Sequence, residues 1–197
     1  MKVLLTCFEP FGNNKVNVSS IVAKHFATSL PRGYDLIVKQ LPVSFERVGN
    51  ILSSIIELHK PNIVIMLGQA GNREKISIER IAINLMDSKM GDNDNFYPCE
   101  LPIIPSKENA LFSNMPLKDI IKKWHEAGID AIISNSAGLY VCNCSFYHAL
   151  SLSSKIDQQM KVGFLHLPKL PTETALHNAI ICEITKAISI IIEICLK

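Results

Sequence analysis

A thiol, an imidazole and a carboxylate stand in this chain where they could cooperate in nucleophilic acyl chemistry. The thiol comes from Ser136-Ala137-Gly138-Leu139-Tyr140-Val141-Cys142-Asn143-Cys144, which joins the apolar run Ala131-Ile132-Ile133 to a helical pattern extending from about Ser145 to Gln158. A cysteine between a strand and a helix start meets unpaired backbone N–H groups and the positive end of the helix dipole. Both lower a thiol's pKa, and the same N–H groups can stabilise an oxyanion. Cys142 and Cys144 are therefore candidate nucleophiles, although free cysteine is also among the most buried residue types and either would suit a core position. The imidazole is His166, in Gly163-Phe164-Leu165-His166-Leu167-Pro168, an apolar stretch where a hydrogen-bonded structural histidine is the alternative. The carboxylate is Glu79. It lies in an alternating segment, but Ile78-Glu79-Arg80-Ile81 breaks the period, so its facing stays open between a site group and a solvated carboxylate paired with Arg73 or Arg80. A thiol nucleophile needs a histidine to take and return its proton and a third group to orient that histidine, and these three residue types meet the requirement.

The elements that must position them follow from periodicity. Residues 2–6 form a short apolar run ahead of the loop Phe8-Glu9-Pro10-Phe11-Gly12, and residues 62–67 form a continuous apolar run closed by Gly68-Gln69-Ala70-Gly71. Such runs suit buried parallel strands. Strands are also expected at 34–43, 75–84, 131–134 and 161–166, and helices at 17–30, 44–59, 117–127 and 173–195, the third ended by Gly128. Residues 85–116, rich in Asp, Asn, Pro and Ser, break every pattern and read as a long surface excursion, of the kind that is functional or mobile in compact domains. Strands alternating with helices imply one α/β domain spanning residues 1–197, an α/β/α sandwich around a mostly parallel central sheet. In such sheets, sites gather at the carboxyl ends of strands, where the Phe8–Gly12 loop, Gln69, the Cys142 junction and His166 all fall.

Composition narrows the function. The chain is 48% hydrophobic and 19% charged, with a net charge of +2 and its Lys and Arg scattered, so no electrostatic footprint for nucleic acid or anionic lipid is present. The six cysteines form no paired framework, and Met1 leads straight into a strand with no signal peptide, which suits a reducing cytoplasm. Cys142 and Cys144 are too close for metal or redox spacing and no Cys/His pair completes a site, so neither metal nor cofactor is expected. The apolar tail at 180–196 is interrupted by Glu183, Lys186 and Glu193, and reads as a helix buried in the core or partly in a subunit contact, not as a membrane span.

Taken together, five segments carry a resemblance: Thr6-Cys7-Phe8-Glu9-Pro10-Phe11-Gly12, Gly68-Gln69-Ala70-Gly71, Glu79-Arg80-Ile81-Ala82-Ile83-Asn84, Ser136 to Asn143, and Gly163 to Pro168. In that order they resemble the signature segments of the pyroglutamyl peptidase I (pyrrolidone-carboxylate peptidase) family of cysteine peptidases, from about Lys2 to the C-terminal helix. The resemblance implies a cytosolic omega-peptidase that removes N-terminal pyroglutamate from peptides. It implies Cys142 as nucleophile, leaving Cys144 outside the pattern, with His166 and Glu79 completing the set. It also implies Phe8 and Phe11 as apolar pocket walls, Tyr140 and Val141 beside the nucleophile, Gln69 supporting the loop or meeting the lactam, and a homo-oligomer (dimer or tetramer). The family's architecture resembles that of nucleoside phosphorylases, but no phosphate-cradling Gly-rich loop or Arg cluster accompanies it here. Departures from the family pattern are Cys7 for Gly, Val18 for Pro and Leu139 for Thr or Ser. In Asp87-Ser88-Lys89-Met90-Gly91-Asp92-Asn93, Lys89 stands for an Arg and Gly91 for a Pro. Lys89 would lend electrostatic support with a point charge in place of a planar fork. A homologue that binds capped peptides with weak turnover is the alternative these departures leave.

Overall fold

Alternate residues of each strand enter opposite apolar layers, and that parity decides where the chemistry sits. The computed structural model describes residues 1–29, 33–156, 159–171 and 173–196; the expected helix ends at Leu30 and Gln158 lie outside the described residues. The elements run β1 (Lys2–Phe8), α1 (Val18–Thr28), β2 (Asp35–Leu41), α2 (Phe45–His59), β3 (Ile63–Gln69), β4 (Ile76–Glu79), β5 (Ile81–Ile83), β6 (Ala110–Phe112), α3 (Leu117–Glu126), β7 (Ala131–Ser134), α4 (Val141–Ile156), β8 (Lys161–Leu167) and α5 (Thr174–Cys195). Six strands form one sheet in the order β2-β1-β3-β8-β4-β7. Every neighbouring pair is parallel except β4 and β8, which are antiparallel.

One face of the sheet sends Val3, Leu5, Ile63, Ile65, Leu67 and Leu165 against α1, α3 and α5. The other sends Leu4, Phe8, Val64, Met66, Val162 and Phe164 against α2 and α4. The result is the mostly parallel α/β/α arrangement that the alternation of strands and helices implies. The apolar tail is accounted for by α5, whose Ile184, Ile188, Ile191 and Ile192 are buried in the first layer. No helix among the described residues is long and apolar enough to cross a membrane.

Helix starts and stops follow local chemistry. Asn17 caps α1 by accepting from the Ser19 N–H (3.0 Å), and the Ser44 hydroxyl caps α2 by accepting from the Arg47 N–H (3.2 Å). The chain leaves α3 through Gly128 at φ +78°, a conformation that favours glycine.

Two expected segments differ from the structure. The ribbon expected at 75–84 is two strands in two sheets. Arg80 is the corner: its N–H donates to the Ser134 carbonyl, extending the β4–β7 pairing, while its own carbonyl accepts from the Ser113 N–H on the way to β6. Beyond it β5 leaves the main sheet and pairs antiparallel with β6. The broken alternation at Glu79-Arg80 is the sequence trace of this switch. The excursion at 85–116 is also more structured than its composition implies. It contributes β6, a Met86–Leu101 bridge, and Ile103 and Ile104 packed against the second layer. Its order comes from hydrogen bonds to distant residues, which no local pattern records.

Candidate active site

Sheet parity brings the three candidate groups to one face. His166 shares parity with Phe164 on β8, Gly68 with Met66 on β3, and Glu79 with Ser77 on β4, all on the side covered by α4. His166 is the register partner of Gly68 across the β3–β8 pair and of Ser77 across the antiparallel β4–β8 pair. Glu79 therefore lies diagonally from His166, within reach of its ring. Its Oε1 is 2.7 Å from His166 Nδ1, and both side chains are buried, Glu79 completely. With an ionised carboxylate as acceptor, Nδ1 carries the proton, which leaves the Nε2 lone pair for chemistry. Glu79 is thus a buried partner of the imidazole rather than a solvated carboxylate.

Cys142 is the second residue of α4. The helix reaches back to Val141, so the cysteine sits in the first turn, where backbone N–H groups lack intrahelical acceptors. Gly68 makes room for it: a Cβ built there would lie 3.0 Å from Cys142 Sγ and 2.7 Å from the Phe164 ring. The thiol therefore rests over β3, on the face where β8 presents His166. Burial pushes the Cys142 thiol up to about 12, and the negative charge of Glu79 adds to the rise. Arg73 and the residue's own N–H, which lies against the sulfur, act in the opposite sense. Cys144 faces away, buried in the second layer with Sγ 3.8 Å from the Phe45 carbonyl, and burial alone lifts its thiol to about 12.

The helix start is anchored by Asn143. Its Oδ1 accepts from the Ile83 N–H (2.9 Å) and its Nδ2 donates to the Ile83 and Leu85 carbonyls (2.8 and 3.1 Å), so the side chain mimics a strand beside β5.

A small, partly open pocket lies against the thiol, lined by Phe8, Phe11, Asn17, Val43, Gln69, Tyr140, Val141 and Cys142. All five residues expected at the binding site line it. Gln69 Oε1 accepts from the Val18 N–H at the start of α1 (2.9 Å), so the amide secures the neighbouring helix with its oxygen and leaves its NH₂ as a donor at the pocket. The Tyr140 hydroxyl donates to the Gly91 carbonyl (3.0 Å), and its ring packs edge-on to Phe45 and beside Phe11. The rim is tied across long sequence separations: Glu9 Oε1 accepts from the Val43 N–H (3.0 Å) and from Asn93 Nδ2 (2.8 Å).

The departures have definite places. Cys7 does not crowd the pocket loop. Being one residue before Phe8 on a strand, it points into the opposite layer, with Sγ 3.8 Å from the Lys39 carbonyl. Lys89 is exposed, makes no hydrogen bond or ion pair among the described residues, and does not line the pocket. The group the sequence left as a bystander is Arg73, whose Nη2 lies 2.8 Å from Glu79 Oε1 and 2.9 Å from the Ser136 carbonyl. Among the described residues no group of three His, Cys, Asp or Glu side chains is placed to hold a metal ion.

A thiol at a helix start, facing a sheet that presents an imidazole paired with a buried carboxylate, defines an α/β thiol hydrolase. Comparison with known proteins narrows the class. The family model for pyroglutamyl peptidase matches residues 1–196, and the chain belongs to that family. A pyrrolidone-carboxylate peptidase of Bacillus cytotoxicus is 39% identical over 202 residues, covering 99% of this chain and 93% of the relative. One from Thermococcus onnurineus is 43% identical over 168 residues, 85% of this chain and 84% of the relative. The crystal structure of pyrrolidone carboxyl peptidase from Pyrococcus furiosus superposes with a TM-score of 0.91 at 37% identity, covering all of this chain and 98% of its own.

Proposed function

We propose that the chain is a thiol-dependent omega-peptidase that hydrolyses the N-terminal pyroglutamyl residue from peptides, with Cys142 as nucleophile, His166 as proton carrier and Glu79 as the group that orients the imidazole. The observation that carries the assignment of roles is the 2.7 Å contact between His166 Nδ1 and the fully buried Glu79, on the face where Cys142 Sγ lies over Gly68.

Burial pushes the Cys142 thiol up, which favours its protonated form in the resting site. Attack is then coupled to proton removal: His166 Nε2 takes the thiol proton as Sγ bonds to the pyroglutamyl carbonyl carbon. The oxyanion meets the free N–H groups of the first turn of α4, each such donor being worth roughly 10²–10³ in rate. The imidazolium, stabilised by Glu79, returns the proton to the leaving amine as the C–N bond breaks. A thioester remains, and His166 activates water to release pyroglutamate and restore the thiol.

The pocket's composition supports the substrate class. Its walls are Phe8, Phe11, Val43, Tyr140 and Val141, and among the described residues no carboxylate lines it. A free α-ammonium would lose its hydration there without a counter-charge, whereas the uncharged lactam of pyroglutamate fits apolar walls and neutral donors such as the Gln69 NH₂. We read the protein as cytoplasmic, supported by its six unpaired thiols, and as a homo-oligomer, dimer or tetramer, which sedimentation measures. The deciding experiment is release of a chromogenic amine from a pyroglutamyl amide under reducing conditions. The wild type should hydrolyse it and leave prolyl and alanyl amides intact, and Cys142→Ser should be inactive. Turnover by a folded Cys142→Ala variant would overturn the nucleophile assignment.

A further inference from the structure

We propose that Arg73 is a positioning residue of this site: it holds Glu79 ionised beside a neutral His166 and locks the segment that delivers Cys142. The proposal rests on the triad reading above. Arg73 Nη2 reaches two parts of the machinery at once, Glu79 Oε1 at 2.8 Å and the Ser136 carbonyl at 2.9 Å. Oε1 is the same oxygen that takes His166 Nδ1–H, while Oε2 is buried without a partner. A completely buried carboxylate supported only by a neutral imidazole is an unpaired charge, which protein interiors do not tolerate. The imidazole can donate a hydrogen bond to it but cannot neutralise it and remain a base. A guanidinium can, because it stays charged over the whole working range.

The consequence is electrostatic. The groups that face His166 and its partners are Glu79 on β4, Arg73 in the loop before it and Cys142 on α4, with Tyr140 and Asp92 behind the thiol. Glu79 attracts a positive charge on the imidazole, and the guanidinium on the same carboxylate oxygen opposes that attraction. Arg73 also eases ionisation of the Cys142 thiol, against burial and Glu79. The contact to Ser136 adds a mechanical link. Ser136 lies between β7 and the left-handed Gly138 (φ +77°), from which the chain enters α4. Exposed ion pairs contribute little, but this one has a carboxylate without solvent and a guanidinium mostly covered, with side-chain exposures of 0% and 22%.

The test compares Arg73→Met, Arg73→Lys and wild type in hydrolysis of the pyroglutamyl amide from pH 5 to 9, with melting curves. Arg73→Met should lower kcat on the order of 10–100-fold, the range seen when groups supporting catalytic ligands are removed. KM should stay within about threefold, and the acid limb of kcat/KM should move up by about one pH unit, as expected when a neighbouring charge is lost. Arg73→Lys, which keeps the charge, should hold the acid limb at its wild-type position. An unchanged acid limb and kcat in folded Arg73→Met would overturn the proposal, as would a loss that tracks melting temperature alone and is not relieved by Lys. If Arg73→Met does not fold, Glu79→Gln/Arg73→Met, which buries no unpaired charge, is compared with Glu79→Gln. A further loss smaller than that of Glu79→Gln itself supports action chiefly through Glu79, the remainder being the lost Ser136 contact, and a further loss as large or larger overturns it. An inactive wild type would instead refute the functional reading itself, so the two failures are distinct.

Discussion

Gly68→Ala is the sharpest perturbation of the site, because it adds one methyl group at the point where β3, β8 and α4 meet. The new Cβ would lie 2.7 Å from the Phe164 ring and 3.0 Å from Cys142 Sγ. Carbon–carbon contacts in a packed interior are comfortable at about 3.5–4.0 Å, so the ring must retreat by roughly 1 Å and the sulfur by several tenths of an ångström. The ring has nowhere simple to go. Phe164 is fully buried, with Phe146 at 5.7 Å on one side and His166 at 4.8 Å on another. Its displacement is passed to the imidazole, while the sulfur is pushed off β3 from the same point. Overpacking of this kind costs about 1–3 kcal/mol of stability, and a misplacement of about 1 Å between reacting groups costs on the order of 100-fold in rate. The expected outcome is a folded protein melting roughly 2–12 °C lower, with kcat/KM for a pyroglutamyl amide down about 100-fold and slower alkylation of Cys142 by iodoacetamide. The φ of Gly68 is not in the left-handed region, so alanine adds bulk without backbone strain. Wild-type turnover with an unchanged melting temperature would refute the placement of the thiol over Gly68.

Two further outcomes test other parts of the structure. Asn143→Ala should strip partners from the Ile83 N–H and the Ile83 and Leu85 carbonyls, destabilising the fold by about 1–3 kcal/mol and loosening the start of α4; an unchanged urea midpoint would contradict the anchoring role. Alkaline pH should destabilise the protein through its buried thiols. Burial raises Cys7 from 9.0 to about 11, so the folded state keeps that proton while the unfolded chain loses it. Its contribution is fully present below pH 9 and is lost as pH rises through about 11, at up to about 1.4 kcal/mol per pH unit. Cys142, Cys144 and Cys195 shift in the same direction, so the informative quantity is the difference between wild type and Cys7→Ala. Urea midpoints from pH 8 to 10.5 should fall less steeply in the variant, and parallel slopes would refute a buried Cys7.

What could be read in the sequence divides by the range of the forces involved. Parallel strands announced themselves as apolar runs because both of their faces are covered, and helix limits at Ser44 and Gly128 follow from local capping and a left-handed turn. The position of Cys142 was legible for the same reason: a strand end and a helix start are local events. Glu79 was not, since its facing depends on the chain changing sheets at Arg80. That corner is held by Ser134 and Ser113, more than thirty residues away. Residues 85–116 misled in the same way. Their polar side chains, which read as surface, are spent on long-range ties such as Asn93 to Glu9 and Asp92 to the Phe45 N–H. Arg73 shows the limit most clearly. In sequence it is one cation in a polar loop, and its meaning depends on a buried carboxylate that only the fold reveals. Residues that bind or react directly carry a signature in their type and position. Residues that hold those groups in the right charge state become visible only when the electrostatics of the folded site are followed partner by partner.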